Sequence, residues 1–103
     1  MLRSDPDPPQ ALSLDDLRGV ISLALRNRTF LLKGHGHARS KQRQISVLDI
    51  QHVCQIGQYR KAPRWENGNW KYELSGLDLD GTETTVVLAV ESFSCRVTVV
   101  TVF

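Results

Sequence analysis

Between Leu14 and Leu25 the apolar side chains Leu14, Leu17, Val20, Ile21, Ala24 and Leu25 recur at intervals of three and four. That spacing lines them along one stripe of an α-helix. Ser13 ahead of the stripe and Asp16 three residues later form a capping box, and the pair Asp15 and Asp16 suits the positive end of the helix dipole. A first helix is therefore predicted from the Ser13 cap to near Asn27. A second capping box, Ser46 with Asp49, sits between Ile45 and Ile50, which are placed to form a hydrophobic staple. The helix it opens runs through Val53, Cys54 and Ile56, with Gly57 expected to stop it in the left-handed conformation. Between these helices, residues 29–33 read as a short strand or an extended connection. Residues 35–44 have helical length but Ala38 as their one apolar side chain, so a helix there is expected to lie on the surface.

Beyond Gly57 the period changes from 3.6 to 2. Trp70, Tyr72 and Leu74 alternate with Lys71, Glu73 and Ser75, the signature of a half-buried strand, and Asn67-Gly68 marks a turn before it. Asp78-Leu79-Asp80-Gly81 leads into a strand over residues 83–91, and Ser92-Phe93-Ser94 reverses the chain into a last strand from Arg96 to Phe103. Tyr59 to Ala62 supplies a fourth strand if it pairs. The expected class is α+β, with N-terminal helices packed on a three- to four-stranded antiparallel sheet, in one domain over residues 13–103. Residues 1–12, with Pro6, Pro8 and Pro9, read as a loosely attached arm. The Val-rich last strand is expected as an exposed edge open to pairing.

A chain of 103 residues supports one hydrophobic core. Its apolar runs, such as Val86 to Val90, fall far short of the about 20 residues of a membrane-spanning helix. The N-terminal stretch lacks the apolar middle region of a secretory signal, so the cytoplasm is the expected location. Cys54 and Cys95 fit no zinc spacing and are expected to be reduced, buried small hydrophobes.

The net charge of +2 conceals three blocks. Arg3 against Asp5, Asp7, Asp15 and Asp16 leaves residues 1–16 at −3. Residues 17–64 hold ten Lys and Arg against Asp49 alone, which is +9, and residues 65–103 come to −4. Solvated helix faces usually interleave both signs, because like charges at helical spacing repel. A block this one-sided points to an anionic partner. Nucleic acid is the better fit than a membrane, because the block has no wide apolar face.

Within the block, His35, Arg39 and Arg43 stand at i, i+4 and i+8. On a helix they share one stripe and bring an imidazole and two guanidiniums to the same region of space. Phosphodiester cleavage needs such a set: a group that exchanges protons near neutral pH, and cations whose planar forks hold phosphate oxygens. The same spacing also occurs on inert surface helices. The string from His35 to Ser46, followed by Val47-Leu48-Asp49-Ile50 and Gly57, resembles the HAxxRMxxRGIS pattern of a family of small bacterial domains of unknown function. Tyr72 to Gly76, Asp80-Gly81 and Val97 to Thr101 resemble that family's sheet. Gly36, Ser40 and Gln44 depart from the motif's Ala, Met and Gly.

That family is similar to the RelE and MqsR group of type II toxins, compact α+β ribonucleases partnered by antitoxin proteins. The resemblance implies metal-independent RNA cleavage by attack of a 2′-hydroxyl on the adjacent phosphate, with no cofactor. It places His35 as the proton-transfer group and Arg39 and Arg43 on the scissile phosphate. Lys33, His37, Lys41, Arg60, Lys61, Arg64 and Trp65 are the candidate RNA-binding residues, the last four because a basic cluster beside an aromatic suits stacked single-stranded bases. RNA, free or ribosome-bound, and an antitoxin are the implied partners, and a homodimer remains open. No metal site is expected: His35 and His37 have only His52, two cysteines and scattered carboxylates to complete a ligand set. The alternative is a non-catalytic RNA- or protein-binding module that uses the same basic face.

Overall fold

The fold, a computed structural model, is described for residues 10–32, 45–91 and 96–103. Helix α1 spans Leu14–Arg26, with the Ser13 hydroxyl accepting from the Asp16 N–H and Asn27 closing the C-terminus. Strand β1 is Phe30–Leu32. Helix α2 spans Val47–Ile56 and begins with the full capping box, in which Ser46 and Asp49 each bond the other's backbone N–H. Five strands follow: β2 Gln58–Tyr59, β3 Arg64–Glu66, β4 Asn69–Leu77, β5 Glu83–Glu91 and β6 Arg96–Val102. The class is α+β. Among the described residues no helix is long and apolar enough to cross a membrane.

The sheet has six strands, more than the three or four expected, and it is mixed rather than antiparallel. Its order is β1-β6-β5-β4-β2, with β3 also on β4. The extra members are short. Phe30–Leu32 pairs parallel to β6, Gln58–Tyr59 pairs with Ser75 and Leu74, and Arg64–Glu66 forms a hairpin with Asn69–Lys71. The hairpin turns through Asn67 (φ 52°) and Gly68 (φ 80°), the two positive angles that a tight turn of the right hand for a hairpin requires. Because β1 occupies the far side of β6, the Val-rich last strand lies inside the sheet and is not the exposed edge expected of it.

Pairing of β6 with β5 shifts by one residue, since Val87 pairs with Thr101 and Leu88 with Val99, leaving Val100 without an opposite number. This bulge resets the alternation. Val97, Val99 and Val102 all reach the core and are fully buried, although the third breaks the even spacing of the first two. The same face of the sheet carries Val86, Leu88, Tyr72 and Leu74, and both helices pack on it through Leu17, Ile21 and Ala24 of α1 and Ile50, Val53 and Cys54 of α2. Ile45 and Ile50, the staple pair, are both buried in this cluster. Each fully buried Leu, Ile or Val contributes roughly 1.5–3 kcal/mol relative to exposure.

Ala11 and Leu12, at the end of the stretch expected to be a loose arm, pack against the core. The Leu12 N–H donates to the Tyr72 hydroxyl at 3.1 Å, and the Tyr59 hydroxyl donates to the Leu12 carbonyl at 2.8 Å. The two tyrosine rings are stacked with centroids 6.0 Å apart.

Gly57 corrects an expectation. It ends α2 at φ −67° and ψ 159°, extended backbone and not the left-handed stop. Glycine is required there for space, because a Cβ would lie 2.5 Å from the Val53 carbonyl oxygen and 3.1 Å from that of Ser75. Gly57→Ala is therefore expected to destabilise the fold by about 1–3 kcal/mol, the usual range for forced overpacking. Gly19→Ala, on an exposed stretch of α1 with nothing within 4 Å of its added methyl, is expected to stabilise by roughly 0.5–1 kcal/mol. Urea unfolding midpoints of the two variants check both signs.

Candidate nucleic-acid interface

Strand alternation sorts β4 into two faces. Trp70, Tyr72 and Leu74 turn toward the helices, while Lys71, Glu73 and Ser75 turn to the outer face, on which neither described helix packs. Glu73 is only 5% exposed despite facing outward. Three cations cover it: Arg60 Nη1 lies 3.1 Å from Oε1, Lys61 Nζ 3.2 Å from Oε2 and Arg64 Nη2 3.4 Å from Oε2. The pairing of β2 with β4 delivers the first two, because the Arg60 N–H continues the ladder by donating to the Glu73 carbonyl at 2.9 Å. The β3 hairpin delivers the third. Arg60 also lies over the Phe103 ring, 5.5 Å from its centroid.

One carboxylate cannot neutralise this group. Lys71 stands directly opposite Arg64 in the hairpin register, a like-charge pair that destabilises a sheet unless an anion intervenes. The second oxygen-bearing neighbour, Glu66 at 3.6 Å from Arg64, leaves four cations against two carboxylates. The side chains of Arg60, Lys61 and Arg64 remain 43–49% exposed. The outer face is thus a shallow cationic surface with an aromatic ring at its margin.

The structure brings Arg60, Lys61 and Arg64 together and separates Trp65 from them. Trp65 pairs with Trp70 edge to face, 5.5 Å between centroids, on the helix side of the hairpin. Trp65 is 41% exposed, but it offers its ring to the opposite side from the cations. His35, Arg39, Arg43, Lys33, His37 and Lys41 lie outside the described residues. Sequence reasoning missed Glu73 as the centre of the cluster and Phe103 as its aromatic neighbour. The alternation of β4 marks Glu73 as outward-facing, but only the pairing with β2 and β3 reveals what surrounds it.

A second polar group lies at the other end of β4. The carboxylates of Asp49, Asp78 and Asp80 have oxygens within 4.8 Å of one another. Their lone pairs are largely committed to the protein. Asp49 Oδ2 accepts from the Ser46 N–H and hydroxyl, and Oδ1 from the Leu79 N–H at 3.0 Å. Asp78 Oδ1 accepts from the N–H groups of Asp80 and Thr82, and Oδ2 from the Thr84 hydroxyl. The arrangement is a latch joining the start of α2 to the turn between β4 and β5.

Other titratable groups are held inert. Burial pushes the Cys54 thiol up to about 12, so it stays protonated and unreactive at neutral pH. Burial, then the neighbouring Tyr72 and Asp16, push Tyr59 up to about 12, and burial raises Tyr72 as well. Arg18, one of the cations in the basic block, is spent on the fold: its Nη2 donates to the Gly57 carbonyl at 2.9 Å, beyond the C-terminus of α2. A cavity of about 140 Å³ lies between α1 and the sheet, walled by Leu12, Val20, Trp70, Tyr72 and Val90, with Gln10 and Glu91 also lining it.

No family model, no curated protein and no solved structure matches this chain.

The latch makes a pH prediction. Hydrogen bonds, chiefly from the Ser46 side chain and backbone and also from the Leu79 N–H, hold the Asp49 carboxyl below its ordinary 3.8. A depressed acid contributes stability that is fully present above its unfolded value and is lost as pH falls through the lower folded one. Asp49→Ala is expected to lower stability at pH 7, because it removes the acceptor of the Ser46 and Leu79 N–H groups. That deficit is expected to shrink below about pH 4, as measured by urea unfolding of both proteins at pH 7 and pH 3.

Proposed function

We propose that the protein binds RNA through the cationic outer face and the basic residues between Lys33 and Arg43, and cleaves it as a RelE-like toxin-type endoribonuclease of the cytoplasm. The observation that carries the reading is the unbalanced cluster of Arg60, Lys61 and Arg64 around Glu73, with Lys71 opposite Arg64, the first three being part of the block of net charge +9. Phosphate oxygens would complete the coordination of the exposed guanidinium and ammonium donors. Cleavage would fall to His35, Arg39 and Arg43. The 2′-oxygen attacks phosphorus and the bond to the 5′-oxygen breaks, leaving a 2′,3′-cyclic phosphate. His35 moves the proton at one of these oxygens, taking it from the 2′-hydroxyl or giving it to the departing 5′-oxygen, and water carries the proton at the other, while Arg39 and Arg43 stabilise the charge on the non-bridging oxygens. The protein partner in this reading is an antitoxin.

A binding-only module is the second reading, favoured by the makeup of the outer face itself. Its described residues supply cations but no histidine, since His52 lies on α2 near Asp49. The two readings separate on one variant. His35→Ala is expected to abolish new RNA ends and growth arrest on expression in a bacterial host, while fluorescence anisotropy with a single-stranded oligonucleotide gives nearly unchanged affinity. Equal cleavage by both proteins, or none by either, removes the catalytic assignment.

Glu73→Gln separates binding from mere packing. The variant loses a buried anion and is expected to lose about 1–2 kcal/mol of stability, moderated by the exposure of the three cations. Because it frees positive charge, its RNA affinity is expected to hold or rise. Binding by the unaltered protein is expected to weaken with salt at a log–log slope near −0.7 per phosphate engaged. A parallel fall in stability and affinity would mean that the cluster serves the fold alone.

A further inference from the structure

The cavity of about 140 Å³ between α1 and the sheet lies on the opposite side of the sheet from the cationic face, because Trp70 and Tyr72 turn toward the helices. Its walls are apolar: Leu12, Val20 of α1, Val90 and the rings of Trp70 and Tyr72. Gln10 and Glu91 also line it and are exposed, so they mark its opening. Tyr72 is 1% and Val90 7% exposed, which means that the space runs inward from those polar residues to the core. Protein interiors leave few gaps larger than a water molecule. A gap of this size deprives its walls of contacts they would otherwise make.

Size, rigidity and charge together define an occupant. Apolar cavities of about 150 Å³ stay dry and hold one benzene-sized molecule, so the space suits a single ring and not a larger cofactor. The walls are held in place without a ligand. Leu12 is bonded through its N–H to the Tyr72 hydroxyl and through its carbonyl to the Tyr59 hydroxyl, Tyr72 stacks on Tyr59, and Trp70 packs edge to face on Trp65. A site formed in advance binds at a lower ordering cost. Glu91 sets the sign of the charge. Its carboxylate lies 3.9 Å from Arg96 Nη1, with both side chains about half exposed (49% and 46%), a long pair that leaves acceptor positions for a further donor. An anionic ligand in the cavity is set against this carboxylate, whereas an ammonium group is set beside it and is attracted by the neighbouring aromatic rings as well.

We propose that this cavity binds a small amine with a single apolar ring, the ring enclosed by Val20, Trp70, Tyr72 and Val90 and the ammonium group held at Glu91. The assignment is independent of RNA binding and cleavage. The test compounds are benzylamine, toluene and benzoate, which share a ring and differ in charge, each titrated into the ¹⁵N-labelled full chain. Benzylamine is expected to shift the signals of residues 10–12, 20, 70–72 and 90–91, the Trp70 indole N–H among them. Toluene is expected to shift the same set with lower affinity, and benzoate to shift none of it. Val20→Phe fills the space from α1 and is expected to abolish the response to benzylamine and toluene alike, with a urea midpoint no lower than that of the unaltered protein. Glu91→Gln, a change at an exposed site that keeps the fold, is expected to weaken benzylamine about two- to fivefold and to leave toluene unchanged. No response to benzylamine, equal binding of benzoate, shifts spread over the surface, or benzylamine binding that survives Val20→Phe would overturn the proposal. Indifference of benzylamine to Glu91→Gln would overturn it too, since the amine would then have no part in recognition.

Discussion

Each β4 residue from Trp70 to Leu74 that turns toward the helices is apolar, and each that turns away carries charge, and nearly everything else in the molecule is arranged around that two-residue period. On the inner side, Tyr72 and Leu74 are sealed by α1 and α2 and meet Leu88 and Val86 across the ladder. On the outer side the strand presents Lys71 and Glu73. A slip of one residue would put Glu73 into the core and Tyr72 into water, so the register is held by the burial energy of the whole inner face. The bulge at Val100 serves the same constraint from β6. It lets Val102 rejoin Val97 and Val99 on the inner side, where an uninterrupted alternation would have turned it outward.

With the register fixed, the outer carboxylate of Glu73 becomes the point on which three cations converge. Such a group is a poor device for stability alone. The cations are half exposed, which weakens each pair, and Glu73 is buried, which raises its desolvation penalty. A well-packed apolar residue at that position could serve the fold as well. What the shared acceptor does is set three flexible cationic side chains beside one another on one face of the sheet.

Much of this was legible along the chain because the deciding interactions are local. Both helix starts follow from Ser13 with Asp16 and Ser46 with Asp49, residues three apart, although the expected capping box is complete only at Ser46 and Asp49, and at α1 the Ser13 hydroxyl accepts from the Asp16 N–H without a return bond. The strand over Glu83–Glu91 follows from its composition and the turn before it. What escaped depends on partners distant in sequence. The parallel pairing of Phe30–Leu32 with Val97–Val99 cannot be inferred from three residues, and it is what moves β6 from the edge to the interior. Gly57 reads as a left-handed cap because that is the common use of glycine after a helix, whereas the crowding comes from Ser75 on another element as well as from Val53. At the candidate site, Arg60, Lys61 and Arg64 read correctly as a cluster, since they are neighbours in the chain. Trp65 reads as part of it for the same reason, and strand alternation places it on the other side.

The division of charge along the chain thus becomes a division in space. The cations of the middle block that β2 and β3 contribute gather beside Glu73 and Glu66, while Asp78, Asp80 and Glu83 of the last block lie at the turn where β4 passes into β5. The two regions use their carboxylates differently. Glu73 faces cations that it only partly neutralises, so the surface above it keeps a positive field. Asp49 and Asp78 face backbone and hydroxyl donors that carry no net charge, so their own negative charge stays uncompensated beside Asp80 and Glu83. A small domain with a single strand running between these regions has a charge axis built into its sheet. Such an axis orients approaching polyanions toward one end and polycations toward the other before any contact forms. Around Asp80 and Glu83, both exposed, the field repels a polyanion and attracts a polycation.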